Sequence, residues 1–168
     1  TLSPRLVVSS GFAGGLNPQL NSGAVVFDAL PDSWLAPVLL GAGAVSVRFH
    51  CAERIASTAA EKLGLSRTTN ADAVDMESAA IRGLCAARNI PSATVRIISD
   101  AADEDLALDF NRVMTPEAEL DYFKLAWALA KSPATLPKLW KFRRRIDAIG
   151  ARLAQVLADV LKAPTPPV

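Results

Sequence analysis

Five residues with reactive or polarisable side chains stand at the ends of apolar segments: Asp75, Met76, Glu77, Ser99 and Asp100. All lie in residues 71–105, ADAVDMESAAIRGLCAARNIPSATVRIISDAADED. A carboxylic acid can give a proton to a departing group, and a carboxylate can accept hydrogen bonds from hydroxyls, so two acids facing one ligand support acid–base chemistry. The elements around them must bring them together. Residues 71–74 read as a short apolar strand. A helix follows over 78–88, with Ile81, Leu84 and Cys85 at i, i+3 and i+4 as its buried stripe. Asn89-Ile90-Pro91 ends it, because the residue before a proline is pushed out of the helical region. Residues 93–98 form a second apolar strand, with Ser99 and Asp100 at its carboxyl end. A strand–helix–strand unit of this length predicts a right-handed parallel crossover. Open α/β sheets hold ligands at the carboxyl ends of parallel strands. The five residues are therefore expected on one rim.

The stretches VDMES (74–78) and RIISDAAD (96–103), with GFAGGL at 11–16 upstream, resemble the purine/uridine nucleoside phosphorylase superfamily. Within it they resemble most the branch holding methylthioadenosine/S-adenosylhomocysteine nucleosidases and hopanoid-associated phosphorylase-like proteins. The resemblance runs from about Leu6 to Asp105 and implies cleavage of an adenine nucleoside at its N-glycosidic bond. On that reading Asp100 is the general acid, donating to N7 while its other oxygen accepts from the 6-amino group, and Ser99 orients it. Branches that select 6-oxopurines carry asparagine at this place, so Asp100 implies adenine. Glu77 accepts bonds from the two ribose hydroxyls, bonds that strengthen as the ring gains positive charge. Met76 offers the sugar a polarisable surface. Phe12, Ala13 and Gly14 line the ribose side, and Ile55, in the 53–55 region, borders the base, which is clasped there partly by backbone groups. Asp75 replaces a commoner glutamate and is left without a role; Asp103 is expected to influence the charge of the loop after Asp100. The same resemblance implies a homo-oligomer and no cofactor, with phosphate as co-substrate if the reaction is phosphorolysis. Family members begin with a glycine-rich strand and water- or phosphate-handling groups that nothing before Arg5 supplies, so the N-terminal strands are expected to be absent. Hydrolysis and phosphorolysis are not separated, and a catalytically silent nucleoside-binding or oligomerisation module is the alternative.

Composition narrows the class. At 168 residues and 51% hydrophobic, the chain can bury a core and is not disordered. A net charge of +1 argues against a general nucleic-acid binder. No apolar run of membrane-spanning length and no secretory leader pattern stand out, so a cytoplasmic protein is expected. Two cysteines and one histidine are too few for a disulfide framework or a metal cluster, and the expected metal is none. His50 and Cys51 are adjacent on an expected strand and point to opposite faces, so they read as packed positions.

Upstream, residues 5–10 read as a buried strand breaking into a glycine turn at 11–15, and 23–27 as the next strand. Pro31, Trp34, Leu35 and Pro37 suggest a loop and short helix, 42–50 a strand, and 59–65 a helix. A sheet beginning at Leu6 would leave apolar edges exposed for want of neighbouring strands. The expected fold is thus α/β, a mixed, mainly parallel sheet flanked by helices over residues 1–114, with a helical C-terminal extension over 115–163. Thr115-Pro116-Glu117 is expected to open one helix. A last helix over 136–161 carries Phe142, Ile146, Ile149, Leu153, Val156 and Val160 in a heptad-like stripe, suited to the sheet or to a partner subunit. Residues 131–162 hold eight Lys/Arg and two Asp, a local +6 against −5 for the remainder. Trp127, Trp140 and Phe142 with Lys138, Lys141, Arg143, Arg144 and Arg145 suggest peripheral membrane contact through 127–145.

Overall fold

The computed structural model describes residues 4–30, 33–115 and 121–163. Among these, six strands form one sheet: β1 (Val7–Gly15), β2 (Val25–Asp28), β3 (Val45–Ser46), β4 (Phe49–Cys51), β5 (Ala73–Asp75) and β6 (Ser92–Asp100), in the order β3-β2-β6-β1-β5-β4. The helices are α1 (Leu35–Gly41), α2 (Ala59–Thr69), α3 (Ser78–Ala86), α4 (Tyr122–Lys131) and α5 (Thr135–Lys162). The β1/β6, β2/β3 and β4/β5 pairs are parallel, and β1/β5 and β2/β6 antiparallel, so the sheet is mixed and mainly parallel as expected.

β1 departs from the sequence reading in two ways. The strand does not stop at a glycine turn but runs through Gly15, paired with β6 from Val7↔Ser92 to Gly14↔Asp100. It is also a central strand, flanked by β6 and β5, so the apolar edge expected of the first strand does not exist. Glycine is needed here for close approach. A Cβ on Gly14 would lie 3.2 Å from Val74 Cγ1 and 3.5 Å from Asp100 Oδ2. Glycine inside a strand marks such an approach of backbone to its neighbours.

The expected parallel crossover is also corrected. β5 and β6 are separated by β1, which pairs antiparallel with one and parallel with the other, so they run in opposite directions. Their motifs still converge, because both flank the same glycine: Gly14 faces Val74 on one side and Asp100 on the other. Two inter-strand spacings put these Cα atoms about 10 Å apart. In α3 the expected stripe holds at Cys85, which is buried, and in part at Ile81, which is half-buried; Leu84 is largely exposed. The single strand expected at 42–50 is two short ones interrupted at Val47-Arg48, and α2 continues past Gly64 to Thr69. α2 starts at a capping box, in which Thr58 Oγ1 accepts from Glu61 N and the Glu61 carboxylate accepts from Thr58 N.

Strand alternation places Val25, Phe27, Val95 and Ile97 on the sheet face covered by α1 and α5, and Val26, Ile98 and Ala73 in a second cluster. The stripe on α5 is used within this chain: Leu153, Val156 and Val160 are buried in the first cluster, with Ile149 against it. It is not left open for a partner subunit. α4 is capped by Asp121, whose Oδ1 accepts from Phe123 N and Lys124 N. The helix start expected at Thr115-Pro116-Glu117 falls mostly on residues outside those described.

Candidate active site

The cavity of about 350 Å³ over the centre of the sheet is of a size to hold a small molecule. Phe12, Ala13, Gly14, Ile55, Met76, Glu77, Ser99 and Asp100 all line it, so every residue singled out as a site candidate meets there.

Asp100 ends β6 and is buried, its side chain held from both sides. A β-bulge between Ala13 and Gly14 leaves Ser99 out of register. Ser99 Oγ then lies 2.5 Å from Asp100 Oδ1 and 3.1 Å from the Ala13 carbonyl oxygen. One hydroxyl hydrogen serves one acceptor at a time. Ser99 donates to a charged Asp100, or accepts from a protonated Asp100 and donates to Ala13. It therefore satisfies the carboxyl in either protonation state.

On its other side Asp100 Oδ2 pairs with Lys62, a lysine with no exposed surface. Sequence reasoning missed Lys62, because a lysine on a short helix normally reads as solvated. The loop after Asp100 is fixed from two directions. Lys62 donates to the Ala101 and Glu104 carbonyls, and Arg145 of α5 pairs with Glu104 Oε1 at 2.6 Å. Burial pushes the Glu104 carboxyl up, but Arg145, the Ala101 N–H and Lys62 together hold it below the usual carboxylate value. Asp103, expected to influence this loop, is exposed; its neighbour Glu104 makes the contacts.

Glu77 stands at the head of α3 with 65% of its side chain exposed, 3.9 Å from Arg96 Nη2. Arg96, also missed, projects from mid-β6 into a buried position, where Nη2 lies 2.8 Å from Asp75 Oδ2 and donates to Ser9 Oγ at 3.0 Å. Asp75, left without a role by the sequence, accepts from Ser78 Oγ at 2.6 Å and ties β5 and the start of α3 to Arg96.

At the other wall, Asn111 Oδ1 accepts from Ile55 N at 2.9 Å, and Asn111 Nδ2 donates to Ile55 O at 2.8 Å. The Ile55 backbone groups, part of the 53–55 stretch expected to clasp a base, are thus bonded to Asn111. Leu106, Phe110, Phe142 and Ile146 extend the apolar wall, with the Phe110 and Phe142 rings 5.9 Å apart. The first two members of the α5 stripe therefore line the cavity. Only the stripe's spacing pointed to them. Among the described residues no group of His, Cys, Asp and Glu could hold a metal ion.

Over the central strand of this mixed α/β sheet, the cavity brings the carboxyls of Asp100 and Glu77 together between apolar walls. A family profile described as the phosphorylase superfamily matches residues 40–131, more than half of the chain. The chain belongs to the phosphorylase superfamily. Solved structures share the fold. The 5′-methylthioadenosine nucleosidase of Arabidopsis thaliana superposes with a TM-score of 0.62 at 15% identity, over 95% of this chain and 62% of its own. The S-adenosylhomocysteine nucleosidase of Streptococcus pyogenes, in complex with 5-methylthiotubericidin, gives 0.63 at 16% identity, over 96% and 69%. The 5′-methylthioadenosine/S-adenosylhomocysteine nucleosidase of Campylobacter jejuni gives 0.55 at 22% identity, over 64% and 61%. The chain spans less than two thirds of the length of the Arabidopsis and Campylobacter proteins.

Proposed function

We propose that the cavity cleaves the N-glycosidic bond of an adenine nucleoside. The observation that carries this reading is the meeting of Asp100, held by Ser99 and Lys62, with Glu77 across Gly14 in one apolar-walled cavity. N-glycosidic cleavage asks for a proton at the departing base and for stabilisation of an oxocarbenium-like sugar. Asp100 gives its proton to N7 of adenine, and its second oxygen accepts from the 6-amino group. Glu77, largely exposed at the cavity, accepts from the 2′- and 3′-hydroxyls. Met76 packs on the sugar. Beside Glu77 the Arg96 guanidinium is already paired with Asp75 and bonded to Ser9, and Arg54, which also lines the cavity, is paired with Glu61. That pairing favours neutral water over a phosphate dianion as acceptor. The wall of Leu106, Phe110, Phe142 and Ile146 favours an apolar 5′ substituent.

The test is adenine release from adenosine, methylthioadenosine and a long-chain 5′-alkyl adenosine, each with and without phosphate. Release without phosphate, faster from the 5′-substituted compounds, is the expected result. A strict need for phosphate would assign phosphorolysis instead. Binding without release from a folded sample would make the chain a silent nucleoside-binding module.

A second, compatible reading concerns α4 and the first turns of α5. Phe123 and Trp127 of α4 and Trp140 of α5 are exposed, at 82%, 58% and 63%. The Lys131 ammonium sits 3.4 Å above the Trp127 ring and the Arg144 guanidinium 4.8 Å above that of Trp140, with Lys138, Lys141 and Arg143 also exposed. Among the described residues no helix is long and apolar enough to cross a membrane. Aromatic rings interleaved with cations suit the headgroup level of an anionic bilayer. Co-sedimentation with phosphatidylserine vesicles that is lost at high salt is expected. Equal recovery in the supernatant with anionic and neutral vesicles would remove this reading.

A further inference from the structure

The geometry points to Lys62 as a positioning residue for Asp100, one that fixes the acid's orientation and meets the charge left on it as its proton departs. The inference rests on Asp100 being the acid of the reaction proposed above. Its starting point is an inverted pattern on α2, which buries Lys62 completely while Leu63 beside it is half exposed. Among the described residues of α2, Lys62 is the one that is buried. Such breaks of the polar-out rule concentrate at functional sites. A buried ammonium is costly unless paired and fully hydrogen-bonded, and here all three N–H groups are used. Two reach carbonyl oxygens, Ala101 at 2.8 Å and Glu104 at 2.7 Å, and the third meets the Asp100 carboxyl. The carbonyls carry no net charge, so the Asp100 carboxylate is the counter-ion in the free site, and it takes up a proton from solvent with the nucleoside before it acts as the acid.

Two consequences follow for the acid. With Ser99 on Oδ1 and Lys62 on Oδ2, the carboxyl plane is gripped from both sides. The loop that carries it is tied to α2 again, where Ala59 N donates to Asp105 Oδ1 at 2.8 Å. When the Asp100 O–H bond breaks and the N7–H bond forms, a negative charge is left on a buried carboxylate. Lys62 is already in place to balance it, with no rearrangement at that moment.

The experiment compares Lys62→Met, Asp100→Asn and the double variant, each with its melting curve, for adenine release and for nucleoside binding by calorimetry. Lys62→Gln, which keeps donors for the two carbonyls but no charge, serves if Lys62→Met does not fold. In folded Lys62→Met, kcat is expected to fall by about 100-fold, while KM moves by less than about threefold. The double variant is expected to be no slower than Asp100→Asn alone, because both changes remove one unit. A folded Lys62 variant that keeps kcat within about threefold of wild type, or whose loss adds fully to that of Asp100→Asn, overturns the inference while leaving the reading of the site intact. Absence of both turnover and binding in the wild type overturns that reading, and Lys62 with it.

Discussion

Asp100→Asn is expected to lower adenine release by about 10²- to 10⁴-fold, the usual contribution of a positioned acid. Asparagine keeps the shape and one acceptor oxygen, but it has no proton to give to N7. Binding of the nucleoside should change far less, because the amide still reaches the base. Stability should fall as well. The substitution leaves the Lys62 ammonium, fully buried, with two neutral carbonyls and no counter-charge. Breaking a buried pair from one side costs about 3–5 kcal/mol. Single-turnover adenine release and urea unfolding measure the two effects separately. Full activity in Asp100→Asn would remove the residue from the chemistry. Unchanged stability would mean that water, rather than Asp100, satisfies Lys62.

Arg96→Leu is expected to have the largest effect on the fold. Arg96 is buried on a central strand and neutralises Asp75, itself buried, while donating to Ser9 on β1. Leucine would fill much of the space but leave Asp75 as an uncompensated charge between β5 and α3. A loss of about 3–5 kcal/mol is expected, read from the urea midpoint at neutral pH. Adding Asp75→Asn should recover part of it, because the orphaned charge is then gone and Ser78 can still donate to the amide oxygen. The effect should also reach the site, since Asp75 anchors the turn that presents Met76 and Glu77. If the single variant unfolds within about 1 kcal/mol of wild type, Asp75 is being stabilised by groups other than Arg96.

The contrast between Glu77 and Asp75 shows how burial separates two acids two positions apart. Asp75 is committed to Ser78 and Arg96 and is part of the scaffold. Glu77 is largely exposed and only loosely near Arg96, so it is free to bind a ligand. The sequence reading put both acids on one rim, gave Glu77 to the ribose hydroxyls by resemblance and left Asp75 without a role. Distance to a buried cation separates them, and that distance is tertiary.

The sequence by itself determined the residues with chemistry and their local frames. Asp100 and Ser99 end an apolar strand, Glu77 heads a helix that the Asn89-Ile90-Pro91 segment stops, and strand alternation assigns β6 its two faces. These signals are local, set by proline and periodicity over a few residues. The motif resemblance added which ends belong to one site. Only the tertiary structure decided the rest. It put β1 between β5 and β6, so that two antiparallel strands rather than a parallel crossover frame the cavity. It brought Lys62 to the loop after Asp100 across 39 and 42 residues of chain, and folded Phe142 and Ile146 of the last helix over the site. Nothing near Lys62 in the chain separates it from a solvated lysine. Its burial is stabilised by a carboxylate and two carbonyls that only the folded sheet delivers, and their distance along the chain hides that pairing from any local reading.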